Sequence, residues 1–159
     1  MNRLAERLKE ASVMWKIEKF ADADSYRAGK SFEISEFEGN VMCNEGINEL
    51  WTILCSAGGT KWDNTNAYLG VGTGTTSAAA ADTGIQTAGV FVGMESGYPT
   101  YGTSQKATWK ASFGAAIANQ AWNEFCVSNA DSNGGELLNH KYLLKGQKLL
   151  ARLGSYSWR

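Results

Sequence analysis

Apolar residues recur along this chain at two spacings, and the places where the spacing changes mark its elements. Val13, Trp15 and Ile17 alternate with Met14, Lys16 and Glu18, the two-residue period of a strand with one face on a core. Residues 21–30 are polar and turn-like. SFEISEFEG then predicts a second strand, with Phe32 and Ile34 on one face and Glu33 on the other. The period lengthens at Ile47, Leu50, Trp51 and Leu54, whose spacings of three, four and seven predict a helix from Asn44 to about Ala57 with one buried stripe. Asn44 suits the N-cap, Glu45 suits the positive helix end, and Gly58 and Gly59 suit a left-handed stop. Gly46 in the first turn weakens the helix slightly.

Past the polar turn 61–66, AYLGVG predicts a short strand, and residues 73–89 form a stretch of small and polar residues. Its four consecutive alanines suit a helical turn or an extended surface segment equally well. Ala107, Trp109, Ala111 and Phe113 alternate with Thr108, Lys110 and Ser112, a half-buried strand. Trp122 to Ser128 alternates again. The Asn-Gly of NADSNGGE, followed by LLNHKYLL, predicts an antiparallel hairpin with Cys126 and His140 on its strands. KLLARL near the end suits a strand or one helical turn, and Trp158 in a polar tail implies packing. At the other end, Leu4 and Leu8 lie on one stripe of a charged segment, residues 2–12, that reads as a short helix in need of a surface. The expectation is a mainly β (α+β) fold: an antiparallel sandwich or barrel-like core covered by the helix at about 44–57. An N-terminal helix and arm (residues 1–20) precede a single β-rich domain (residues 21–159).

Composition fits this reading. Eighteen glycines and one proline among 159 residues suit tight turns and sheet interiors without proline. Fifteen basic residues balance 16 acidic ones, so no phosphate-seeking face stands out and nucleic acid is not an expected partner. No apolar run is long enough to span a bilayer, so no membrane role is expected, and the charged N-terminus does not read as a signal peptide. Cys43, Cys55 and Cys126 are widely spaced, which suits reduced thiols in a reducing cytoplasm.

Candidate chemistry fails on spacing. Gly70, Gly72 and Gly74 fall on alternate positions. A dinucleotide fingerprint needs a different third spacing and a following amphipathic helix, and GGTK has its lysine misplaced for a phosphate loop. Alternate glycines instead let one strand face pack flush against its neighbour. The single histidine, His140, has no G-x-S-x-G elbow to serve and reads as a satisfied or surface residue. Glu33, Glu36, Glu38, Glu45 and Glu49 read as solvated surface. Asp131, Asn133 and Glu136 open like a calcium loop, but its twelfth position is Tyr142 rather than Glu. Trp62, Tyr68, Tyr98, Tyr101 and Trp109 are rings that a sugar-binding module uses, although a core or subunit interface explains them better. The expectation is no enzyme, no metal and no cofactor.

The strings NEGINELW (44–51), AGGT (57–60), NAYLGVG (66–72) and KASFG (110–114), with ANQAWNEF (118–125), resemble small proteins encoded with tailed-bacteriophage virion genes. The resemblance covers about residues 38–130; the charged segment 1–12 and the short tail depart from it. It implies a virion structural protein, most like a head decoration or cement protein on the outer capsid surface. It further implies the major capsid protein as partner, self-association as a homotrimer, and assembly in the bacterial cytoplasm. A tail, neck or baseplate component is the alternative. On this reading residues 1–20 form an arm that engages the coat lattice, with Leu4, Leu8 and Trp15 as apolar anchors.

Overall fold

A computed structural model describes residues 13–143 and the backbone of 153–158. The described elements, in order, are β1 (Val13–Lys19), α1 (Ala23–Arg27), β2 (Glu33–Glu38), β3 (Val41–Met42) and α2 (Asn44–Cys55). They continue with β4 (Tyr68–Gly72), β5 (Val90–Gly93), β6 (Thr100–Thr103), β7 (Lys106–Ala111), β8 (Glu124–Ser128), β9 (Leu137–Tyr142) and β10 (Leu153–Trp158). The strands form two five-stranded antiparallel sheets, ordered β2-β1-β10-β7-β6 and β3-β9-β8-β4-β5. The expected mainly β fold is therefore present.

Val13, Trp15, Ile17, Trp109 and Ala111 from the first sheet share one core with Leu69, Val71, Phe125, Val127 and Leu138 from the second. The architecture is thus a sandwich rather than a barrel, because each sheet keeps two edges. Trp15 anchors the seam, with its ring centroid 6.3 Å from Phe37 and 5.6 Å from Phe125.

The two-residue period is present in β1 and β7, and also in β2, where Phe32 and Ile34 share one face and Glu33 lies on the other as expected. Other details differ. The segment 21–30 contains a helical turn, α1, whose N-cap Asp22 accepts a 2.7 Å bond from the Ser25 amide. In β2 the inner face carries Glu33, Ser35 and Phe37, while Ile34, and Phe32 just before the strand, face outward at 53% and 63% exposure. Glu33 can turn inward because buried Lys19 meets it at 2.6 Å. β8 was expected to alternate, yet every residue in it is buried. It lies between β9 and β4, and the stretch 73–89 covers its outer side. Beneath that stretch Cys43, Ile85, Cys126 and Leu137 make a second small core. The ambiguous tail supplies β10, which pairs with β1 on one side and β7 on the other. KLLARL lies almost wholly outside the described residues, as does the predicted helix 2–12.

Candidate functional site

Two features stand out once the fold is assembled: a buried carboxylate beneath the 73–89 stretch and the outer face of α2.

Glu124 projects from β8 toward that stretch and is fully buried. Its carboxylate accepts bonds from the Gly74 amide (2.6 Å), the Gln86 amide (2.9 Å) and the Thr87 amide (3.3 Å). Such charge-assisted bonds are what let a carboxylate remain in an interior. Glycines make room for it: a side chain at Gly72 would lie 2.7 Å from Glu124 Oε2, and one at Gly70 would lie 2.5 Å from Cys126 Sγ. The alternate glycines thus serve packing, as their spacing indicates, and what they accommodate is a buried acid and a thiol.

His140 extends the network. Its Nδ1 lies 2.7 Å from Asp82 Oδ2, and Asp82 also accepts the Ala79 amide at 2.7 Å. Nε2 lies 3.3 Å from Glu124 Oε1, an electrostatic contact without hydrogen-bond alignment. Asn133, one of the calcium-like residues, brackets Ile85 instead: Oδ1 accepts its amide and Nδ2 donates to its carbonyl. A histidine flanked by two acids resembles a catalytic relay, but here all three side chains hold a loop. His140 is sealed from solvent. The neighbouring thiols are raised away from thiolate formation, Cys43 to about 12 and Cys126 further, chiefly through burial.

The α2 helix is oriented opposite to expectation. Ile47, Leu50, Trp51 and Leu54, predicted as a buried stripe, are 38%, 37%, 61% and 72% exposed. The inward side instead carries Glu45, Gly46, Glu49 and Ile53, and of the helix residues only Gly46 is buried. The reason lies at the sheet edge. β3 is two residues long and covers β9 only at Asn139 and His140, leaving the start of β9 to be closed by the helix. Glu45 accepts the Leu137 amide at 2.6 Å, and the Cys43 amide reaches the Leu138 carbonyl at 3.3 Å. Contact is close enough that a side chain at Gly46 would lie 2.6 Å from Leu138 Cα. Glu49 turns back to the Thr60 amide. These polar ties fix the rotation of the helix and leave its apolar stripe outside.

The caps differ accordingly. Cys43 is the N-cap, Asn44 begins the helix, and the helix ends at Cys55 rather than about Ala57. Ser56 Oγ closes the end by donating to the Thr52 carbonyl at 2.6 Å, so the glycine stop is not what ends it.

Of the expected arm anchors, Leu4 and Leu8 lie outside the described residues. Trp15 is 4% exposed in the core, and β1 sits between β2 and β10. Trp15 therefore cannot reach a partner, and residues 13–19 belong to the sandwich, not to an arm. Trp62 and Trp109 are likewise buried, with Trp109 Nε1 donating to the Trp62 carbonyl at 3.0 Å. The only fully open ring of the proposed sugar platform is Tyr101, at 78% exposure beside a depression of about 340 Å³ on the β6–β7 hairpin. No protein-family model matches the chain, and no curated protein or solved structure matches it either.

Proposed function

We propose that this protein works by adhesion rather than by chemistry, as a structural component of a phage particle, most like a head decoration protein on the outer capsid surface. The carrying observation is the outward apolar stripe of α2, since a monomer in water gains nothing by exposing Trp51 and Leu54 on the one long helix described. The rest of the molecule suits a rigid module: two sheets sharing an aromatic core, and a long connection fastened by a buried acid. The resemblance of NEGINELW, NAYLGVG and the neighbouring strings to phage virion proteins motivates the same reading. A protein that binds assembled coat in preference to free subunits stabilises the shell by mass action, and neighbouring copies add avidity. Leu4 and Leu8 remain the proposed lattice anchors.

Deleting residues 1–12 tests the arm. The expected result is at least a tenfold loss of affinity for expanded heads, measured by co-sedimentation with the fold checked by circular dichroism. Unchanged affinity removes the arm. Binding at one vertex instead of across the head moves the protein to the neck or tail.

A further inference from the structure

We propose that Asn133 is a modification site, and that its deamidation irreversibly unfastens the 73–89 stretch at Ile85. The proposal is independent of the adhesive reading above. Among the asparagines of the chain, Asn133 alone precedes a glycine. The chemistry favours that pair, because the backbone nitrogen of the following residue must reach the carboxamide carbon and a side chain there obstructs the approach. Gly134 lies in an exposed turn, and its amide donates to Ser132 Oγ at 3.3 Å rather than into a strand ladder. In the reaction the Gly134 nitrogen gives its proton to base, bonds to Asn133 Cγ and closes a succinimide ring. The Cγ–Nδ2 bond breaks, and Nδ2 takes up a proton and leaves as ammonia. Water then opens the ring at either carbonyl, giving aspartate or isoaspartate. Water is consumed and ammonia released, and neither an oxidant nor a cofactor is needed.

What Asn133 holds gives this reaction a consequence. Its Oδ1 accepts the Ile85 amide at 2.9 Å and its Nδ2 donates to the Ile85 carbonyl at 2.8 Å, so Ile85 itself fixes which end of the carboxamide is which. The group also lies close over Gly84, where an added side chain would meet Asn133 Cγ at 2.5 Å. Ile85 in turn closes the small core that contains Cys43, Cys126 and Leu137. Aspartate replaces the donor toward the Ile85 carbonyl with a charged acceptor, so two oxygens meet where a hydrogen bond was. Isoaspartate adds a methylene to the turn backbone and displaces the side chain from Ile85. Neither product can refasten the stretch there.

The clasp also guards itself. While both bonds stand, Cγ is held toward Ile85, and the carboxamide must let go before it can swing to the Gly134 nitrogen. Modification therefore waits on local opening, and an opening that lasts long enough for ring closure becomes permanent. Glu124 holds Gly74, Gln86 and Thr87 independently, so the closed stretch prevails and loss at Asn133 is slow in the native chain.

Incubating the full chain in mildly alkaline buffer, with peptide mass spectrometry to locate the ammonia loss, tests this. The expected site is Asn133, modified about tenfold or more faster in urea-unfolded chain than in native chain. Gly134→Ala should slow it in both. That variant keeps the fold, since the nearest neighbour of the added methyl is Ser132 Oγ at 3.5 Å and Gly134 lies outside the left-handed region. Asn133→Asp should speed hydrogen exchange at the Ile85 amide about tenfold and open Cys43 and Cys126 to a thiol reagent. Aged wild-type chain, separated from fresh chain by its added charge, gives the same two readouts without having to fold around the substitution. Modification that begins at another asparagine overturns the proposal, as does a native rate equal to the unfolded rate. Unchanged Ile85 exchange and thiol protection in the aged chain overturn it as well.

Discussion

Replacing Glu124 with glutamine asks whether a buried charge stabilises this fold or burdens it. The side chain keeps its shape, so only acceptors and charge change. In one orientation the new amide nitrogen faces the Gly74 and Thr87 amides, and two buried donors lose their acceptor. In the flipped orientation the oxygen serves those two, and the nitrogen faces the Gln86 amide and His140 Nε2. The second loses less, so the variant should adopt it. One orphaned amide and a lost charge-assisted bond cost about 1–3 kcal/mol. Against a typical total of about 5–15 kcal/mol this is easily measured. With a urea m-value of about 1–3 kcal/mol/M, the unfolding midpoint should fall by about 1 M. Hydrogen exchange should quicken at Gln86 first, with Gly74 and Thr87 less affected. The opposing force is desolvation, since neutralising a buried acid sometimes stabilises a protein. An unchanged or raised midpoint, with unaltered exchange at all three amides, would show that desolvation outweighs the three bonds and would refute the reasoning.

Other outcomes follow from the same structure. Gly46→Ala gains about 1 kcal/mol of helix propensity but drives a methyl into the Leu137–Leu138 backbone. Overpacking of this kind costs about 1–3 kcal/mol, so chemical denaturation should show net loss, and a stabilised variant would place α2 farther from β9 than described. In the native protein a thiol reagent should modify Cys55 quickly, and Cys43 and Cys126 only on unfolding; equal rates for all three would contradict their burial. Burial also gives an alkaline limb. Cys43 keeps its proton in the folded chain up to about 12, whereas an unfolded thiol loses it near its ordinary value of 9.0. The folded state then binds more protons, so stability should decline as pH rises between those values. Cys43→Ala should flatten part of that decline, and a limb of undiminished slope would assign it elsewhere.

Much of the sandwich was legible because its strands are written locally. Val13, Trp15 and Ile17 announce their inner face, and Asn-Gly announces the β8–β9 turn. Helix α2 was legible in extent but not in rotation. A 3.6-residue stripe shows that one face avoids water, and it cannot distinguish a core from another molecule. The rotation was set by Glu45, Gly46 and Glu49, whose partners at Leu137 and Thr60 are non-local. Glu124 was hidden for the same reason: in sequence it is a polar residue in an alternating strand, and its three donors lie 37 to 50 residues away. Trp15 carried the opposite error, because an aromatic anchor for a partner and one for a core look alike until neighbouring strands are placed.

Strand β10 has a consequence for how the protein is made. In the first sheet it lies between β1 and β7, so without it that sheet separates into a β2–β1 pair and a β7–β6 pair. On the ribosome, β1 emerges well before its partner at 153–158, which leaves the exit tunnel only after everything between them. For that interval one side of β1 offers unpaired backbone groups to any neighbouring nascent chain. The second sheet, closed within residues 41–142, can form before synthesis reaches β10. Translation therefore gives the two halves of the sandwich different histories, with the first sheet the more exposed to misassembly during synthesis.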